Sequence, residues 1–289
     1  MHNISLDNII DKDDLHTVFR LCIMSKFVQS NKRYRECADN TEFIYAINDN
    51  SINAYANHDG TRYTVTLLRG ILQWGSVFGF IWMLADNGQK FKVTLKMATW
   101  AAMYLQNKYQ GELPDCLIEE MVNGCGIKHP EKLLDSINQG KMEQWRSCTL
   151  EIVRSVLAHE LGHVCLGHVD DCGYDGTIMS ANRNIERQAD LFACSVLQSG
   201  SNVQSAAIAT VLSEISLLCF GNGDGQKTHP ASKERINYMM KSFEGLFGSQ
   251  TMGEPQLIAL ATAILNVGKK KSTTHRLKNG RLEGAPVSR

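Results

Sequence analysis

Charge of one sign, long apolar runs, a leader and paired cysteines are all missing from this sequence, and each absence excludes something. Thirty basic residues balance thirty acidic ones over 289 positions, so no whole-molecule field attracts nucleic acid, an anionic membrane or an acidic substrate. The longest apolar run, 70–85 (GILQWGSVFGFIWMLA), is shorter than the roughly 20 residues a membrane-crossing helix needs and is interrupted by Gln73. It is expected to be a buried helix or a helix-to-strand passage, and no membrane span is expected. The first fourteen residues hold Asp7, Asp11, Asp13 and Asp14 and no apolar stretch behind a basic start, so they do not read as a secretory signal, and the mature protein is expected to begin there. The nine cysteines are odd in number and form no CxxC pair. That argues for free thiols in a reducing compartment, with the cytoplasm as the expected location. No internal repeat is visible.

What is present is enough apolar material, 43% of the chain, to bury a large core. The pattern predicts an α+β fold: a mainly helical domain over 1–268 with a small β-sheet, followed by a basic, disordered tail at 269–289. Apolar residues at Leu15, Val18, Phe19, Cys22, Ile23 and Phe27 form a helical stripe over 15–28. Alternation at Phe43, Tyr45 and Ile47, and again at Tyr63, Val65 and Leu67, marks a strand and hairpin region, with Asp59-Gly60 as turn chemistry. Residues 90–95 read as a strand, 97–109 as a helix, and 112–142 as short helices broken by Gly and Pro. The stretch 86–147 is read as an insertion or lid. Helical periodicity returns at 148–168, 184–198 and 203–220, then at 230–243 and 254–267.

The strongest chemical signal is His159-Glu160-Leu161-Gly162-His163, within SVLAHELGHVCLGH. A spacing of four places both imidazoles on one helical face, where they can share one zinc ion, and Glu160 can reach a water on that ion without ligating it. The plain alternative is a surface helix with two histidines. Val156, Leu157, Leu161 and Val164 make the helix largely buried, where unpaired His and Glu would be costly.

A hydrolytic zinc site takes three protein ligands and leaves one position for water. His168 falls one place early for the H-E-x-x-H-x-x-G-x-x-H frame, and Gly167 one place late. Glu186, 23 residues beyond His163, is the better third ligand, and Asp190, four residues on, can accept a hydrogen bond from a ligand imidazole. The alternative for Glu186 and Asp190 is a solvated helical face. A closed cluster of His163, Cys165, His168 and Cys172 would leave no room for water; Cys165 is better read as a small buried hydrophobe.

HELGH followed by Glu186-x-x-Ala189-Asp190 resembles the gluzincin metallopeptidases that include the CAAX prenyl proteases, the HtpX-like membrane proteases and their soluble relatives. Thr228-His229-Pro230, running on to Arg235-Ile236, resembles that family's T-H-P-x-x-x-x-R-I segment, and Asn53-Ala54-Tyr55-Ala56 followed by Gly60 resembles its N-A-x-A…G strand. The resemblance implies an active-site helix pair beside a small sheet whose edge strand binds substrate backbone in extended form. It also implies that His229 and Arg235 line the cleft, stabilising an oxyanion or positioning Glu186; otherwise His-Pro caps a helix and Arg235 is a surface charge. The connection ahead of HELGH is longer than in such relatives, so substrate choice does not carry over.

The expected function is that of a zinc-dependent metalloendopeptidase acting on a protein or peptide substrate. One Zn2+ per chain would be held by His159, His163 and Glu186, with Glu160 as general base. The rival readings are a cytoplasmic repressor-cleaving metallopeptidase, which shares H-E-x-x-H and a downstream glutamate, and an inactive zinc-containing module that holds a peptide on its edge strand.

Overall fold

The computed structural model describes residues 10–108, 117–170, 183–200, 209–210 and 232–243. It is mostly helical with one three-stranded sheet. The stripe expected as one helix over 15–28 is split into α1 (Lys12–Ile23) and α2 (Lys26–Ser30), followed by α3 (Lys32–Asp39). Capping explains the breaks: Asp11 and Asp14 form a reciprocal box at the start of α1, the Ser25 hydroxyl accepts from Val28 N–H, and Asn31 Oδ1 accepts from Tyr34 N–H.

The strands are β1 (Thr41–Ala46), β2 (Ala54–His58) and β3 (Tyr63–Leu68), in the order β1-β3-β2. β2 and β3 form an antiparallel hairpin, whereas β1 runs parallel to β3 with Phe43 opposite Val65. The central strand is buried from Val65 to Leu68, and the outer strands are only partly covered. The hairpin turn depends on Gly60, whose φ of 91° suits glycine, and on Asp59 Oδ1, which accepts from Thr61 N–H and Arg62 N–H. Beside this turn, Tyr63 donates to Asp170 Oδ1 at 2.7 Å and stacks on His58, tying the sheet to the exit of the long helix described next.

The apolar run at 70–85 is a single helix, α4 (Arg69–Asp86), buried almost throughout. It packs along α8 (Gln139–Cys165), the 27-residue helix at the centre of the molecule. Trp145 of α8 donates to the Ser76 carbonyl at 2.7 Å, and Gly79 leaves room for the Thr149 backbone. The stretch 90–95, expected as a strand, instead opens α5 (Phe91–Lys108), because the buried positions Thr94, Met97, Ala98 and Ala101 repeat at helical spacing. α6 (Leu117–Gly124) and the short α7 (Pro130–Asp135) follow. α9 (Arg183–Gly200) packs across α8, and α10 (Ser232–Phe243) packs on α9 through Leu197, Met239 and Phe243. No described helix is long and apolar enough to cross a membrane. The helix expected at 254–267, the tail at 269–289 and most of the helix expected at 203–220 lie outside the described residues.

Candidate metal centre

α8 begins where Asn138 Oδ1 accepts from Lys141 N–H, and it delivers its last turns to the meeting point of sheet and α9. The spacing of four puts the Nε2 atoms of His159 and His163 3.1 Å apart. Gly162, between them, has its α-carbon against α9: a Cβ there would lie 3.2 Å from the Cα and carbonyl oxygen of Ala189. That closeness lets the first turn of α9 bring Glu186 in, 3.4 Å from His159 Nε2 and 3.7 Å from His163 Nε2. Glu186 and His163 are buried, and His159 is nearly so.

These three residues each aim one ligand atom at a common point, and together they could hold a metal ion. Zinc–nitrogen and zinc–oxygen bonds of about 2.0–2.2 Å place tetrahedral ligands roughly 3.3 Å apart. The two Nε2 atoms are 3.1 Å apart, His159 Nε2 lies 3.4 Å from Glu186 Oε2 and His163 Nε2 lies 3.7 Å from Glu186 Oε1, all near that figure. Two imidazoles and a carboxylate are also a donor set that suits zinc.

The supports come largely from α9 and α10. His159 Nδ1 lies 2.8 Å from Asp190 Oδ1. Asp190, 2% exposed, receives Nε of Arg235 at 2.8 Å, Nη2 of Arg235 at 2.5 Å and the hydroxyl of Tyr238. Burial by itself would raise the Asp190 pKa, but the Arg235 guanidinium holds the carboxyl well below its usual range. Burial would lower the pKa of His159, yet Asp190 and Glu186 outweigh it and hold that pKa well above the usual histidine value. His163 is pushed down to about 3, by burial first and then by the neighbouring His159.

α8 closes with its carbonyls satisfied from beyond its end. Gly167, at φ 78°, donates to the Val164 carbonyl at 3.0 Å, and His168 N–H donates to the His163 carbonyl at 2.9 Å. This reversal lays the His168 ring against His163, with the two Nδ1 atoms 3.2 Å apart, while His168 Nε2 lies 3.0 Å from Gln188 Oε1. His168 therefore stands behind His163, outside the group that converges on the metal point.

Glu160 keeps a little solvent-accessible surface, although its carboxylate is enclosed. The backbone N–H of Ala56, on edge strand β2, donates to it, and Glu186 and His159 are its charged neighbours. Burial pushes its pKa up to about 7, against the lowering effect of His159. A carboxylate balanced at that value can take a proton and return it near neutral pH.

Of the residues singled out in the sequence, His159, Glu160, His163, Glu186, Asp190 and Arg235 meet around one point, whereas His229 and Cys172 lie outside the described residues. Sequence reasoning missed Tyr238, although its place three residues after Arg235 puts both on one face of α10. It also missed the contribution of Ala56, which is made by the backbone and leaves no trace in residue type.

A family model described as Peptidase U49 matches residues 86–252, taking in α4's last residue, the stretch 86–147, both histidines of HELGH and Glu186. Neither the curated proteins nor the solved structures gave a match to this chain. The match supports a proteolytic function with a protein or peptide substrate. Since it extends over more than half of the 289 residues and contains every side chain that converges on the metal point, the chain belongs to the Peptidase U49 family.

Proposed function

We propose that this chain is a zinc-dependent metalloendopeptidase in which His159, His163 and Glu186 hold one Zn2+ and Glu160 is the general base. The observation that carries this reading is the convergence of two Nε2 atoms and one carboxylate on a buried point with Glu160 alongside. Zn2+ held by these three residues would supply Lewis acidity toward a water and the scissile carbonyl, with the water's pKa lowered toward about 7. Glu160 takes the proton of the attacking water and delivers it to the leaving amine, which its pKa of about 7 suits.

The placement of β2 supports a substrate path. β2 is at the edge of the sheet, pairs with β3 on one side only among the described residues, and reaches Glu160 through Ala56. An extended substrate adding to its other side would lie across the Glu160 carboxylate. This arrangement, with the E-x-x-A-D and R-I segments, supports the gluzincin resemblance and a zincin-like fold. Arg235 acts through Asp190 on His159 as a positioning residue, and His229 is assigned to the cleft wall on the resemblance alone. The six described cysteines are all free thiols, which suits a reducing, cytoplasmic setting.

The test is cleavage of unstructured casein by the purified full chain, with and without a chelator, alongside Glu160→Gln and Glu186→Ala. Cleavage should vanish in Glu160→Gln while zinc stays bound, and zinc should be lost in Glu186→Ala. Retained cleavage by Glu160→Gln refutes the base. Zinc binding without cleavage by the unaltered chain favours the peptide-binding module.

A further inference from the structure

We infer that His168, held by Gln188, fixes the tautomer of His163 and so keeps the metal-facing nitrogen of His163 free of a proton. The inference rests on the zinc reading and deepens it.

Two separate elements bring His168 to its place. The glycine reversal at Gly167 folds the chain back so that the His168 ring meets the His163 ring at 5.2 Å between centroids and 68° between planes. From α9, Gln188 then reaches the far nitrogen of the same ring. A helix end closed in this way usually seats an apolar contact between these two positions, and here a pair of imidazoles fills it.

The hydrogen count follows in order. An amide oxygen only accepts, so His168 Nε2, facing Gln188 Oε1, carries the hydrogen. A neutral imidazole has one N–H, so in neutral His168 the Nδ1 atom is the acceptor. His163 Nδ1, 3.2 Å away, must then donate, and a neutral His163 is left with a bare Nε2 aimed at His159 and Glu186. His159 is oriented by a different route, through Asp190. One helix thus orients both ligand rings, from positions 188 and 190, as partners behind metal-bound imidazoles do in general.

Gln188 is exposed, so exchanges there leave the packing intact. Gln188→Glu preserves an acceptor, whereas Gln188→Lys offers only donors and would turn the chain of hydrogens around. Zinc affinity of the full chain is read by competition with a chromophoric chelator, and the ring protons by 15N imidazole correlation spectra with and without zinc. Gln188→Lys and His168→Ala should bind zinc about 10- to 100-fold more weakly. Gln188→Glu should bind like the unaltered chain, and the zinc-free melting temperature of Gln188→Lys should be unchanged. The spectra should place hydrogens on His163 Nδ1 and His168 Nε2. Equal zinc affinity for the Lys and Glu variants, or a hydrogen on His163 Nε2, overturns the inference. Should the unaltered chain bind no zinc while the spectra show the expected hydrogens, the relay stands and the zinc reading falls.

Discussion

Gly162 faces Ala189 so closely that a methyl group on its α-carbon would sit 3.2 Å from the Ala189 Cα and carbonyl oxygen. Both are backbone atoms of the helix that carries Glu186, so relief requires α9 to move as a body. Gly162→Ala should therefore weaken zinc binding, even though alanine favours the helix by about 1 kcal/mol. Overpacking costs of about 1–3 kcal/mol offset that gain. Zinc titration and chelated thermal unfolding should show lower affinity with a small change in stability, and Gly162→Val should lose both.

Two glycines of α4 should respond with opposite signs. A Cβ at Gly79 would meet Thr149 Oγ1 at 2.4 Å and the Thr149 nitrogen at 2.8 Å, whereas one at Gly75 finds its nearest neighbour, Val153, at 3.4 Å. Gly75→Ala should gain about 0.8–1 kcal/mol from helix propensity. Gly79→Ala should lose about 1–3 kcal/mol as α4 and α8 separate. Urea unfolding of the two variants in chelator checks the pair.

Arg235 and Asp190 are 5% and 2% exposed and answer each other's charge. Arg235→Met leaves a buried carboxylate uncompensated, at a cost of about 3–5 kcal/mol. The melting temperature should fall sharply even without metal. Arg235→Met together with Asp190→Leu should recover much of the loss, and a double variant no more stable than the single one would show that the pair is not the cause.

The buried thiols predict an alkaline weakness. Burial pushes Cys22 and Cys148 up to about 12 from an ordinary 9.0. The folded chain thus keeps these protons where the unfolded chain releases them, so stability is whole below about pH 9 and declines as pH rises from there toward 12. Urea midpoints should fall between pH 8 and pH 10. At pH 8 both thiols should resist alkylation until the chain unfolds, and rapid alkylation of the native chain would contradict their burial.

Much of this was legible before any coordinates. Residues 70–85 read as buried, and all but Ala85 are, because the run is apolar on nearly every side. That His159 and His163 share one helical face was readable from their spacing, which is local, whereas Glu186 comes to them through the packing of α9 on α8. The helix starting at Phe91 was misread as a strand at 90–95, since short apolar runs do not distinguish periods of 2 and 3.6. The break at Ser25 was hidden because a serine cap looks like any interior serine until its neighbours fold.

Local order along the chain therefore determined that His159 and His163 offer their rings from one face of α8, because a turn of α-helix has a fixed pitch. Only the tertiary structure decided that β1 runs parallel to β3, that Ala56 reaches Glu160, that Arg235 grips Asp190, and that Gln188 meets His168. Each of those contacts joins residues distant along the chain, and their distances are set by how closely the helices and sheet pack, which no single stretch of residues encodes.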